Sequence, residues 1–195
     1  MTDERGRGGG MRITDPQVMR ALAHPARIAI VEHLNSTGAA VTATECAELV
    51  HLSPSATSYH LRELAKYRLV EQAASRGDGR ERVWRSTSTG LRIDTDRNDP
   101  ETASARAALV DIFLERDMAR AREFIARAAS EPEDWLETST LSSHQLLLTV
   151  DELRELSEKL NALVDPYRAR RRQEDPPAGA RRVQLTYMAY PDEAP

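Results

Sequence analysis

The 195-residue sequence has a single cysteine, Cys46, so no internal disulfide can form. It has no basic, apolar and small-residue leader pattern and no unbroken apolar run of about 18 residues, the length a membrane-crossing helix needs. These absences lead to the expectation of a cytoplasmic protein with no membrane partner. All but Lys66 and Lys159 of the 27 basic residues are arginine, a bias that a GC-rich genome explains as readily as function. Basic and aromatic residues do not interleave as they do in single-strand binders. No Ser-His-Asp arrangement, phosphate-cradling glycine loop or paired acidic motif stands out, so no catalytic residue is assigned and an enzyme is not expected. His24, His33, His51, His60 and His144 do not assemble with Cys, Asp or Glu at a ligand spacing, so neither a metal nor a cofactor is expected.

Forty per cent hydrophobic and 30 % charged residues suit a folded, soluble chain. The net charge of −4 argues weakly against a nucleic-acid partner until it is divided along the chain. Residues 11–92 hold 11 basic and 8 acidic side chains, whereas residues 93–195 hold 14 and 21. A mildly basic front and an acidic back suit a DNA-contacting module that carries a second part with another task.

Residues 1–14 begin with a glycine-rich segment of mixed charge and no apolar periodicity, which predicts a disordered arm whose arginines could reach DNA. Residues 15–94 read as a chain of capped helices followed by a hairpin. Asp15 and Pro16 open a short helix carrying Val18, Met19 and Leu22. Pro25 forces a bend at His24, and Ile28, Ile30, Val31 and Leu34 line a second helix that leaves at Gly38. Thr42 and Glu45 have the spacing of a capping box, which starts a third helix ending near Val50. After His51 and Leu52, Ser53 caps a fourth helix with Pro54 at its first position, which packs through Ala56, Thr57, Leu61 and Leu64 and ends near Tyr67. A β-prone segment from Val70, a turn at Arg76, Gly77, Asp78 and Gly79, and then Val83, Trp84 and Arg85 make a hairpin.

Residues 95–106, polar and interrupted by Pro100, are expected to be a linker, and residues 107–190 a helical region. Val110, Leu114, Met118, Ala121, Ile125 and Ala128 recur in steps of four and three, the period of a seam between helices. Leu153, Leu156, Leu160, Leu163 and Tyr167 repeat the pattern on a helix from Thr149 to about Arg172, which Pro166 should kink or end early. Val110, Leu114, Met118, Ile125, Leu153, Leu156, Leu160 and Leu163 are the candidates for dimerisation. Two strands, 140–148 and the alternating Val183, Leu185, Tyr187 and Ala189, are expected to pair. The fold class expected is therefore mainly α within α+β: a winged helix-turn-helix, a helical dimerisation region and a small two-stranded sheet.

A helix entering a major groove needs short polar or basic side chains on one face and apolar packing on the other. The helix from Ser53 to Lys66 offers Ser55, Ser58, Tyr59, Arg62 and Lys66 on the side away from Leu61 and Leu64. Arg62 and Lys66 suit phosphate or guanine, the two serines allow close approach, and Tyr59 offers a hydroxyl or a ring. In the wing, Arg76, Arg80 and Arg82, with Arg85 behind them, suit a neighbouring phosphate or minor groove. Asp78 and Glu81 dilute that charge, and Trp84 reads as a packing residue.

The run ALAHPARIAIVEHL, the run TATECAELVHLSPSATSYHLRELAKYRLVE and the ending VWRST together resemble the winged helix-turn-helix of the ArsR-type bacterial regulators. The resemblance covers about Asp15 to Leu91 and implies a homodimeric repressor on a roughly palindromic operator. The paired-cysteine motif of that family's metal sensors is missing, and Cys46 reads as a small buried hydrophobe. His51 and Arg68 stand where glycine is common in the family, at positions of left-handed backbone. The expectation is a sequence-specific double-stranded DNA-binding regulator, with a small-molecule effector left open. The alternative is a winged-helix protein-interaction module whose basic wing is only a solvated loop.

Overall fold

The computed structural model describes residues 10–75, 81–93, 99–173 and 175–192. The chain divides into two compact units, Met1–Arg116 and Asp117–Pro195.

Local chemistry sets the helix boundaries of the first unit. In α1 (Pro16–Leu22) the Asp15 carboxylate accepts the Gln17 amide at 2.7 Å, and Met19, Ala21 and Leu22 are buried. In α2 (Pro25–Thr37) His24 is the N-cap, and the helix leaves through Gly38 in left-handed geometry. The Thr42–Glu45 capping box is complete at the start of α3 (Ala43–Val50), and Ser53 accepts the Ala56 amide at the start of α4 (Pro54–Lys66). His51 and Arg68 both adopt positive φ, 54° and 56°. At Arg68 the closure is complete: the Arg68 amide donates to the Ala65 carbonyl and the Leu69 amide to the Leu64 carbonyl, while Leu64 and Leu69 are buried together.

β3 (Val70–Ala73) and β4 (Val83–Ser86) form the antiparallel hairpin, and β2 (Val41–Thr42) adds on the other side of β4. Ile28, Ile30, Val31, Leu34, Leu61, Leu64, Leu69 and Trp84 belong to one core cluster. Burying apolar side chains of this size contributes about 1.5–3 kcal/mol each.

Two expectations for this unit need correction. Residues 1–14 are not an arm throughout: β1 (Met11–Ile13) pairs in parallel with β5 (Leu91–Ile93), and Ile13 is only 2 % exposed. A pairing across about 80 residues leaves no local period to read. Nor are residues 95–106 wholly a linker, because α5 (Pro100–Arg127) begins at Pro100. Asp99 accepts the amides of Glu101 and Thr102, both at 3.1 Å, so the polar residues from Asp99 onward are a helix start, while residues 95–98 of the expected linker lie outside the described residues. Thr102, Ala105 and Leu109 are buried, and Arg116 pairs with Glu32 of α2.

The second unit contains α6 (Glu133–Thr138) and α7 (Val150–Val164), the latter opened by a Thr149–Glu152 capping box. α7 ends just ahead of Pro166, which lies in a 3-10 turn. The strands expected at 140–148 and 183–189 do not form, so the two-stranded pair expected in the back half is absent and the parallel pair β1–β5 lies elsewhere. Residues 181–187 are held to helices by side chains instead. Arg181 donates to Glu131 at 2.8 Å and lies over Trp135, Thr186 donates to Asp117 at 2.7 Å, and Tyr187 donates to Asn161 at 2.9 Å. A two-stranded ribbon is marginal in water unless a further layer covers its apolar face. Leu147, 102 % exposed, has no such cover.

Candidate nucleic-acid interface

α4 presents two unlike faces. Thr57, His60, Leu61 and Leu64 are buried, and Thr57 donates its hydroxyl back to the Ser53 carbonyl at 3.0 Å. On the other side Ser55, Arg62 and Lys66 are exposed, Ser58 is half-buried, and Tyr59 is 55 % exposed. The five residues singled out in the sequence therefore share the open side of one helix. Pro54 at the first position and Ser53 as N-cap fix where that helix begins, and hence which residues occupy its first turns.

Both cations of this face have partners within their own helix. The Arg62 Nε donates to the Ser58 carbonyl at 3.2 Å, and the Lys66 ammonium pairs with Glu63. The hydrogen bond that Lys66 donates to Glu63, and the negative charge of Glu63, hold the Lys66 ammonium above the ordinary lysine value. With the Lys66 side chain 65 % exposed, its pair with Glu63 is worth little in water.

In the wing Arg82 is exposed, whereas Arg76 and Arg80 lie outside the described residues. Arg85 is committed elsewhere: it faces Glu71 across the β3–β4 ladder and pairs with it at 2.6 Å. Trp84, 4 % exposed, packs into the core, as its reading as a packing residue anticipates. Cys46 is buried as well, and that burial, with Glu45 adding to it, pushes its thiol up to about 11. A buried, protonated thiol is a poor metal ligand. Among the described residues no cluster of three or more His, Cys, Asp or Glu side chains could hold a metal ion. Among them, too, no helix is long and apolar enough to cross a membrane.

The dimerisation candidates lie on surfaces that the single chain covers incompletely. α5 sets Thr102, Ala105, Leu109 and Ile112 against the first unit's core, on a different stripe from Val110, Leu114, Met118 and Ile125. Val110 and Leu114 are half-buried, and Met118 and Ile125 exposed. On α7, Leu153, Leu156 and Leu160 are half-buried, and Leu163 is 66 % exposed.

A pair of histidines behind α4 escaped the sequence reading. The imidazoles of His60 and His24 lie 4.5 Å apart, and Tyr59 meets His60 edge-on. Both histidines are held below the ordinary value, mainly by burial, with Arg27 adding to it and His24 acting on His60 as well. The usable signals were local: His60 lies three residues after the packing residue Thr57, and His24 stands just before a helix-opening proline.

Residues 22–73 match the family model described as a helix-turn-helix domain, which spans α2, α3, α4 and β3. No curated protein matches the chain in sequence. Among solved structures, the chain is similar to a doubly substituted mutant of Lactococcus lactis ZitR in apo form, at 17 % identity over 74 % of this chain and 83 % of that one, with a TM-score of 0.33. A second structure of the same mutant matches at 17 % identity over 74 % of this chain and 75 % of that one, with a TM-score of 0.31.

Proposed function

We propose that this chain is a sequence-specific regulator of transcription that binds double-stranded DNA by laying α4 in the major groove. The observation that carries the reading is the open face of α4. Ser55, Ser58, Tyr59, Arg62 and Lys66 stand together there, opposite a buried apolar face and inside the segment that matches a helix-turn-helix domain. Small side chains in the first turns let the helix backbone approach base edges, and the two cations deeper along the helix suit phosphate or guanine. Arg82, with Arg76 and Arg80, extends the contact from the wing to the flanking backbone.

The resemblance of Leu22–Pro25 and Ser55–Leu64 to ArsR-type regulators supports a homodimeric, cytoplasmic repressor on a roughly palindromic operator. The dimer contacts would come from Val110, Leu114, Met118 and Ile125 on α5 and from Leu153, Leu156, Leu160 and Leu163 on α7. In this reading residues 15–94 are the DNA-binding part, and the back half joins two copies.

The test is fluorescence polarisation of the full chain against a pool of genomic duplex fragments at rising salt. Binding that weakens linearly in log salt, with preferred fragments surviving competition, is the expected result. A chain that binds no duplex at low salt, yet captures a protein partner, would be an interaction module instead.

A further inference from the structure

His60 lies on the inner side of α4 and is nine-tenths buried, and its Nδ1 is also buried and has no hydrogen-bond partner among the described residues. Its ring lies 4.5 Å from that of His24, at an angle of 43°. His24 is the N-cap of α2, where its Nδ1 accepts the Ala26 amide at 3.2 Å. A ring nitrogen accepts only while it carries no proton, so this cap exists only in a neutral His24. Arg27, in the first turn of α2, acts on both rings, and its Nε too is buried without a hydrogen-bond partner among the described residues. The groups that act electrostatically on the pair are thus Arg27 from α2 and the two imidazoles themselves, with the Tyr59 ring edge-on to His60.

We propose that His24 and His60 are a positioning pair for α4 that works only while both imidazoles are uncharged, so that mild acid loosens α4 from the start of α2 and weakens its hold on duplex DNA. The proposal rests on the DNA-binding reading of α4. A proton taken from solvent by His24 removes the acceptor that caps α2 and places an imidazolium beside Arg27 and a second imidazole. A proton on His60 puts a charge in a buried site that already has a guanidinium nearby. Burial first, then the Arg27 charge, hold both groups below the ordinary value of 6.5, with His24 acting on His60 as well. A depressed histidine contributes stability that is complete above its unfolded value and is lost as pH falls through its folded value. The effect therefore lies below about pH 6.5, and the pair is intact at neutral pH.

The experiment compares the full wild-type chain with His24→Asn, which keeps a capping side chain without a titrating ring, and with His60→Gln. Duplex affinity by polarisation, melting temperature and the imidazole NMR signals are each followed from pH 7.5 to 5. Wild-type affinity should fall severalfold more over this range than that of His24→Asn, because only the wild type gains a proton on His24. Its melting temperature should fall more steeply as well, and the two ring signals should titrate below 6.5. Identical pH profiles for wild type and both variants overturn the proposal, as do ring signals that titrate at 6.5 or above. If His60→Gln shows no cooperative melt at pH 7.5, His24→Asn alone decides. A chain that binds no duplex at pH 7.5 removes the DNA-binding reading, whereas a chain that binds duplex with variant-independent pH profiles removes only this proposal.

Discussion

The two units use similar residues to opposite ends. In the first, Ile30, Leu34, Leu61 and Leu64 are fully buried, and the helices that carry them cross one another and a small sheet. In the second, none of the described residues 117–192 is buried, although α7 bears leucines at 153, 156, 160 and 163 in the same helical period. Period reports which side of a helix is apolar, but not whether anything lies against it. A seam spaced like that of α7 with no interior of its own supports the reading in which a second copy of the chain supplies the missing cover.

The sharpest way to break this contrast is a matched pair of truncations. Leu61→Ala should destabilise the first unit by about 2–5 kcal/mol in a denaturant melt, while Leu163→Ala should change the stability of a single chain by under about 0.5 kcal/mol. Equal losses would mean that Leu163 is buried in solution. Leu163→Glu should then shift sedimentation toward the monomer, and unchanged sedimentation would count against α7 as the dimer contact.

A finer probe uses the two capping boxes. Thr42→Ala should cost about 1 kcal/mol in the cooperative melt of the first unit. Thr149→Ala should lower helicity by circular dichroism while leaving that melt in place. If both variants move the same transition equally, the two units fold as one.

The smallest effect belongs to Arg68. It holds a left-handed backbone that costs a non-glycine residue roughly 1 kcal/mol, so Arg68→Gly should raise the unfolding free energy by up to about that amount, less the entropy that glycine adds to the unfolded chain, and so raise the midpoint of the melt. A fall in the midpoint would show that the Arg68 side chain contributes more than its strained backbone costs.

What could be read from the sequence was what lies within a few residues. Thr42 and Glu45, Ser53 and Pro54, and the left-handed His51 and Arg68 each carry their structural meaning in their immediate neighbours. The side of α4 that carries Ser55, Ser58, Tyr59, Arg62 and Lys66 followed from the same short-range period. The parallel pairing of Met11–Ile13 was not legible, since its partner is distant. Neither was the stripe of α5 that meets the core: steps of four and three pointed to Val110 and Leu114, while Thr102, Ala105, Leu109 and Ile112 lie against the first unit's core. His60 was passed over because an imidazole among leucines reads as polar surface until its neighbour His24 is seen.

The pairing of Arg85 with Glu71 bears on the speed of encounter with a charged partner. A close ion pair acts at a distance as a dipole, whose field fades faster than that of a lone charge. In the DNA-binding reading, long-range capture then falls to Arg82 and to Arg62 of α4, since Lys66 is paired with Glu63 in the same way. Removing Glu71 would expose the Arg85 charge and raise the association rate most at low ionic strength, with a smaller change in how long the complex lasts.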